Sequence, residues 1–246
     1  MTELLTAAQM RAIEQAAIES GQVTGLALME RAGQGVVDAV FEEWSELAKG
    51  AHRAVVLCGP GNNGGDGFVV ARLLSTRGWD LDVYLYGDPK RLPPDAKINH
   101  DRWAACGGTV TPLSDQEQSS RDPDLVVDAL FGTGLTRPVI GLSDLFLDLN
   151  EETARARSYH DPMCRVTCID LPTGLCSDSG RIIETAGEPV AARWLRPMHL
   201  CGQLTVTFHR MKLGHVLADG PSACGKVVVK DIGLPVSVPK KSPPEA

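Results

Sequence analysis

Apolar positions in the first fifty residues recur with helical spacing. Met10, Ile13, Ala17 and Ile18 mark one face of a first helix, which Thr6 can cap and Gly21 can end. Glu14 falls between these positions and reads as a solvated acid. Leu26, Met29, Ala32, Val36, Val37, Val40 and Phe41 predict a second helix from Gly25 to Leu47. From Val55 onward short apolar runs alternate with helical stretches. The runs predict strands at Ala54–Cys58, Asp82–Tyr86, Leu125–Asp128, Val166–Ile169, Leu204–Phe208 and Lys226–Val229, with a short one at Thr109–Thr111. Helices are predicted at Phe68–Arg77, Pro94–Cys106 and Gly141–Arg157. This alternation implies an α/β fold: a Rossmann-like three-layer αβα sandwich with an open, mainly parallel sheet and helices on both faces. The two N-terminal helices precede the first strand and are expected on one face. Ligands in such sheets sit beyond the carboxyl ends of the strands.

The chain has 246 residues, 43% of them hydrophobic, which suits a globular core. One domain is expected over residues 1–235, followed by a flexible Pro- and Lys-rich tail, 236–246. Glu151–Arg165 and Thr185–Gly202 read as surface extensions. No apolar run approaches the roughly 20 residues that span a bilayer, and Met1–Leu4 carries no basic leader. A net charge of −7 argues against a general nucleic-acid surface. The seven cysteines are scattered without a C-x-x-C, so reduced thiols and a cytoplasmic location are expected. The six histidines form no zinc pattern.

The most informative stretch joins the first strand to the helix after it: Gly59-Pro60-Gly61-Asn62-Asn63-Gly64-Gly65-Asp66-Gly67. It reads as a glycine-rich turn whose glycines allow positive φ and close approach to a ligand. Strand, turn and helix form a unit that binds anions at a helix N-terminus. The stretch formally matches G-x-G-x-x-G, but Asp80 and Asp82 lie at the wrong end of the next strand to hold a ribose, and Asp88 is far along. Asp66 would also repel a pyrophosphate seated on that helix. No Gly-Lys-Ser/Thr follows, so a P-loop is excluded. A plain alternative is a tight turn with Asp66 as a helix cap.

The full string GPGNNGGDG resembles the signature of the YjeF N-terminal domain family, the NAD(P)H-hydrate epimerases. Val127-Asp128-Ala129-Leu130-Phe131-Gly132-Thr133-Gly134-Leu135 resembles a second block of that family, and Ile169-Asp170-Leu171-Pro172-Thr173-Gly174-Leu175 a third. A softer similarity covers Thr205–Phe208 running on to Lys212–His215, and Asp231-Ile232-Gly233. Together the likeness extends from about Leu4 to about Pro235. All three main blocks follow predicted strands.

The resemblance implies that Asn63, Asp128 and Thr173 hold a potassium ion, since each offers a hard oxygen. Thr173 stands where the family usually has Ser and keeps the hydroxyl. It further implies that Asn62, Asn63, Gly64, Gly65 and Asp66, the loop Gly132, Thr133, Gly134, Leu135, Thr136, Arg137 and Pro138, and Asp170 enclose the substrate, a hydrated NADH or NADPH. Backbone N–H groups of that loop can cradle phosphate, with Arg137 adding charge. Epimerisation at C6 of the nicotinamide ring requires the hydroxyl to leave and return on the other face, through an iminium-like cation. Asp170 and Asp66 are the candidate acid and base. Asp170 is the stronger of the two because burial at a strand end raises a carboxyl pKa. Lys212 is a candidate phosphate contact or proton donor, or else an exposed lysine after a strand. An alternative reading for Asp128 is a cap on the following turn. Other functional readings are a non-catalytic binding or scaffold relative and an ordinary NAD-dependent dehydrogenase. A homodimer and coupling to an NAD(P)H-hydrate dehydratase are further expectations from the family.

Overall fold

A computed structural model describes residues 3–113, 123–159, 164–184 and 198–235. The expected tail 236–246, the Tyr159-His160-Asp161-Pro162 stretch beyond Tyr159, and most of the 185–202 extension lie outside these residues. Strand β1 (Leu4–Leu5) leads into helix α1 (Ala7–Glu19), where Thr6 and Gln9 form a reciprocal capping box. Helix α2 spans Gly25–Glu43, and a separate 3₁₀ turn covers Ser45–Ala48, so the single helix expected to Leu47 is broken at Trp44.

Seven parallel strands then build the sheet. They are β2 (Arg53–Cys58), β3 (Asp80–Leu85), β4 (Thr111–Pro112), β5 (Leu125–Ala129), β6 (Arg165–Ile169), β7 (Leu204–Phe208) and, after a two-residue β8 (Met211–Lys212), β9 (Lys226–Lys230). Their order in space is β4-β3-β2-β5-β6-β7-β9. Helices α3 (Asn62–Ser75), α4 (Pro94–Ala105), α5 (Ser143–Tyr159) and the short α6 (Gly220–Cys224), with 3₁₀ turns at Pro89–Arg91 and Leu213–His215, complete the described elements. β8 pairs with β1 in a parallel two-stranded sheet, Leu5 opposite Lys212. Two-residue strands carry no readable alternation, which is why neither was expected.

Period-2 alternation sorts the core. Ala54, Val56 and Cys58 of β2, with Leu125, Val127 and Ala129 of β5, pack under α1 to α4. Val55, Leu57 and Val126 face the other way, onto Phe146 and Leu149 of α5. The result is the three-layer α/β sandwich, with α1 and α2 on one face. Arg53 pairs with Asp80 at 2.7 Å and with Asp82, at the strand ends away from the ligand side.

The chain runs from β2 outward to β4, then returns to β5 on the other side of β2. The carboxyl ends of β2 and β5 therefore open a crevice at the switch point. One expectation there is corrected. Asn62–Gly67 is not a turn, because α3 begins at Asn62 with Gly61 as its N-cap, so Asp66 lies inside the helix and caps nothing. Nor does any glycine of the motif adopt positive φ. The glycines are spacers instead. A Cβ on Gly64 would lie 2.0 Å from the Gly59 carbonyl oxygen, and one on Gly67 would lie 2.6 Å from the Ala129 Cβ. Only hydrogen at these positions lets the first turn of α3 sit on the strand ends.

Candidate active site

A cleft of about 430 Å³ opens at this switch point. That is within the usual size of a small-molecule site, about 300–1,000 Å³. Asn62, Asn63 and Asp66 of α3 line it, as do Gly132, Thr133, Gly134 and Leu135 after β5, Asp170 after β6, and Lys212 of β8. Gly64 and Gly65 are buried behind the lining, Gly65 against Met29. Thr136 and Arg137 are exposed and Pro138 half-buried, and none of the three lines the cleft. Asp128 and Thr173 lie beneath the lining, fully buried.

Asp170 is the best-anchored group. Its backbone sits at φ 66°, in the left-handed region that Asp tolerates better than most residues. Its amide donates to the Val206 carbonyl at 2.8 Å, and His215 Nε2 donates to its carbonyl at 2.8 Å. Its Oδ1 accepts from Lys212 Nζ at 2.7 Å and Thr207 Oγ1 at 2.9 Å, and its Oδ2 accepts from Thr133 N at 3.2 Å. Burial pushes the carboxyl up, but the Lys212 ammonium and these hydrogen bonds outweigh it, so its pKa lies below the ordinary value. The rise that burial alone predicts is thus reversed by a lysine that the linear pattern does not place beside it.

Lys212 is 1% exposed, so it is no surface lysine. Its ammonium has three hydrogens, and three acceptors meet them: Asp170 Oδ1, Thr207 Oγ1 at 2.8 Å and the Phe208 carbonyl at 3.2 Å. No donor remains for a phosphate. Beside it, His215 Nδ1 accepts from Lys212 N at 2.9 Å, which leaves Nε2 as the donor and the ring neutral; burial lowers its pKa accordingly.

Asp66 is the opposite case. Its carboxyl makes no side-chain hydrogen bond among the described residues. Burial raises its pKa well above the ordinary value, and the charges of Asp170 and Glu14 raise it further. One cleft therefore holds one carboxyl whose pKa is raised and one whose pKa is lowered. Glu14, expected to be a solvated acid, also lines the cleft, together with Met10 and Arg11 of α1. Burial first, then the Asp170 charge, raises its pKa too. The signal was present in the linear pattern, since Glu14 follows Met10 by four residues and shares its face. Phe131 and Phe208 add apolar walls.

Asp128 accepts from Thr173 N at 2.8 Å, Thr173 Oγ1 at 2.7 Å and Leu130 N at 3.1 Å. It therefore does cap its own turn, and it also fastens the loop after β6. Burial raises its pKa to about 6 against these bonds. No cation pairs with it among the described residues. Asn63 carries a buried amide nitrogen without a partner. A Cβ on Gly132 would come within 3.0 Å of Asn63 Oδ1. A buried carboxylate bonded to the Thr173 hydroxyl, with the Asn63 amide oxygen beside Gly132, offers hard oxygens of the kind that suit a hard cation, and no His/Cys/Asp/Glu cluster that could hold a metal occurs among the described residues.

A parallel sheet with a carboxyl-rich cleft at its switch point defines an α/β protein built to bind a small polar ligand. Its family follows from comparison: residues 25–214 match the model of the YjeF-related protein N-terminus, and the chain belongs to that family. It is 48% identical to an NAD(P)H-hydrate epimerase of Rhodobacter capsulatus, covering 95% of this chain and 100% of that protein. It is 45% identical to one of Roseobacter litoralis, with the same coverage. It also matches 41% of the length of a bifunctional NAD(P)H-hydrate repair enzyme of Moorella thermoacetica, at 34% identity. The crystal structure of yeast ynu0 shares the fold, with a TM-score of 0.67 at 20% identity, covering 93% of this chain and 88% of that one.

Proposed function

We propose that this protein is an NAD(P)H-hydrate epimerase, an isomerase of metabolite repair that interconverts the R and S forms of hydrated NADH or NADPH. The observation that carries the reading is the meeting, in one cleft, of an Asp66 carboxyl without a hydrogen-bond partner among the described residues and an Asp170 carboxylate fixed by Lys212, Thr207 and the Thr133 amide. That pairing is what removal and return of a hydroxyl beside a ring nitrogen requires. Asp66 gives its proton to the C6 hydroxyl, the C–O bond breaks with its electrons on oxygen, and water departs. The ring nitrogen supplies its lone pair and becomes cationic. The Asp170 carboxylate, fixed by Lys212 and Thr207, stabilises that charge without moving. Water then adds to the other face of C6 and gives up a proton to a base on that face, from which it returns to Asp66 before the next turnover. Lys212 is a positioning residue in this scheme.

Asn63, Asp128 and Thr173 would hold potassium through their oxygens. Bound there, the ion supplies positive charge against Asp128 and fixes the ligand-side loops. The substrate's phosphates face the Gly132–Leu135 backbone and the N-terminus of α3, with Arg11 at the cleft. A cytoplasmic setting accords with the seven free cysteines.

The test is direct. Purified R-epimer of hydrated NADPH is mixed with the protein, with and without potassium, and the S-epimer is followed by chromatography. Conversion well above the spontaneous rate is expected, faster with potassium. Tight nucleotide binding without conversion would replace the reading by that of a scaffold relative.

A further inference from the structure

An epimerase acting on a planar cation meets a stereochemical requirement that one carboxyl does not satisfy. The hydroxyl leaves from one face with a proton delivered there, and water adds to the other face with a proton removed there. Asp170 is ill placed to exchange protons, because Oδ1 is engaged by Lys212 and Thr207 and Oδ2 by Thr133 N. Asp66 provides one exchangeable carboxyl. The only other carboxyl lining the cleft, among the described residues, is Glu14.

Glu14 arrives from a different element. Asp66 and Asp170 come from the helix start and strand end of the sheet, whereas Glu14 comes from α1. That helix is fastened across the site. β1, just before it, pairs with β8, which carries Lys212, and Asp178 Oδ1 accepts from Ala7 N at 2.7 Å at its start. The wall bearing Glu14 is thus registered against the wall bearing Asp170. Like Asp66, and unlike Asp170, the Glu14 carboxyl makes no side-chain hydrogen bond or ion pair among the described residues. The charged groups acting on it are Asp170, Lys212 and Arg11, and it in turn acts on Asp66. Two such carboxyls in one cleft disfavour double ionisation and favour sharing one proton.

We infer that Glu14 is the second proton-transfer group of the epimerisation reading proposed above, serving the ring face that Asp66 does not. When Asp66 donates, Glu14 accepts the proton of the incoming water; in the reverse direction the roles exchange. Return of that proton from Glu14 to Asp66, directly or through solvent, resets the site, so none is gained or lost over a turnover and no redox partner is needed.

Glu14→Gln keeps the shape of the side chain and removes the exchangeable proton. The assay uses the full chain, each separated epimer and heavy-oxygen water, and reads epimerisation and oxygen incorporation by mass spectrometry. In the variant, epimerisation falls about 100-fold in both directions. Solvent oxygen still enters one epimer with retention, at no less than about a tenth of the wild-type rate, because Asp66 can release and recapture water on its own face. A merely structural role for Glu14 would lower both processes together in both epimers, and that result overturns the inference, as does no loss in either. If Glu14→Gln lacks a cooperative thermal transition, Glu14→Ala is assayed with and without formate; restoration of epimerisation by formate sustains the inference and its failure overturns it. Wild-type protein without epimerisation would instead overturn the functional reading itself, with nothing required of the variant.

Discussion

Asp170 and Lys212 show how much one ion pair decides. Lys212 is 1% exposed, and removing one partner of a buried pair leaves the other uncompensated. Lys212→Met is expected to cost about 3–5 kcal/mol of stability in urea unfolding at neutral pH. The cost shrinks as pH falls and Asp170 takes up a proton. Asp170→Asn combined with Lys212→Met is expected to recover much of that loss while remaining inactive; additive losses would show that the pair is not coupled. The pH dependence of activity follows from the same groups. The working state has Asp170 and Glu14 ionised and Asp66 protonated. Asp170 titrates below its ordinary value, so its contribution to stability is lost only as pH falls through that depressed value. Asp66 titrates well above its ordinary value, so activity is lost on the alkaline side as pH rises through the raised one. A rate profile of kcat/KM should therefore rise to a plateau as Glu14 gives up its proton above the ordinary glutamate value, and fall only as pH rises through the raised value of Asp66. A fall in rate as pH rises between about 4 and 5, where an unperturbed carboxylate ionises, would contradict the assignment of Asp66 as the acid.

The glycine-rich start of α3 is where local propensity and packing oppose each other. Glycine inside a helix costs about 1 kcal/mol relative to alanine, so Gly64→Ala would stabilise an isolated helix. Here the new Cβ would lie 2.0 Å from the Gly59 carbonyl oxygen, and neither backbone can move aside cheaply. Gly64→Ala is expected to destabilise the protein by about 1–3 kcal/mol and to displace Asn63 and Asp66 from the cleft. An unchanged or higher denaturation midpoint would refute the packing account. The asparagines, the aspartate and the glycines thus have separate duties on one helix: the polar groups face the ligand side, and the glycines let them approach it.

Over the whole molecule, the cleft is closed by parts far apart in the chain. Asp178 caps α1 through Ala7 N, and β1 pairs with β8. Asp178→Ala removes that cap, at a cost of about 1 kcal/mol, and loosens the wall that carries Arg11 and Glu14. The expected result is a higher KM with faster amide exchange confined to α1; uniform loss of protection would mean that the contact supports the whole fold instead. The fold class and the strands of the sheet were legible in the amino-acid order, because period-2 and period-3.6 patterns are set by which positions must leave water. Asn62, Asp66, Gly132, Asp170 and Lys212 were likewise recognisable from their blocks. What the linear order left open was charge state and company. That Lys212 neutralises Asp170, that burial raises the pKa of an Asp66 carboxyl without a hydrogen-bond partner among the described residues, and that Glu14 joins them depend on contacts between residues up to about 200 positions apart. Such contacts are set by strand order and helix packing, and burial and Coulomb interactions act through space without regard to sequence separation.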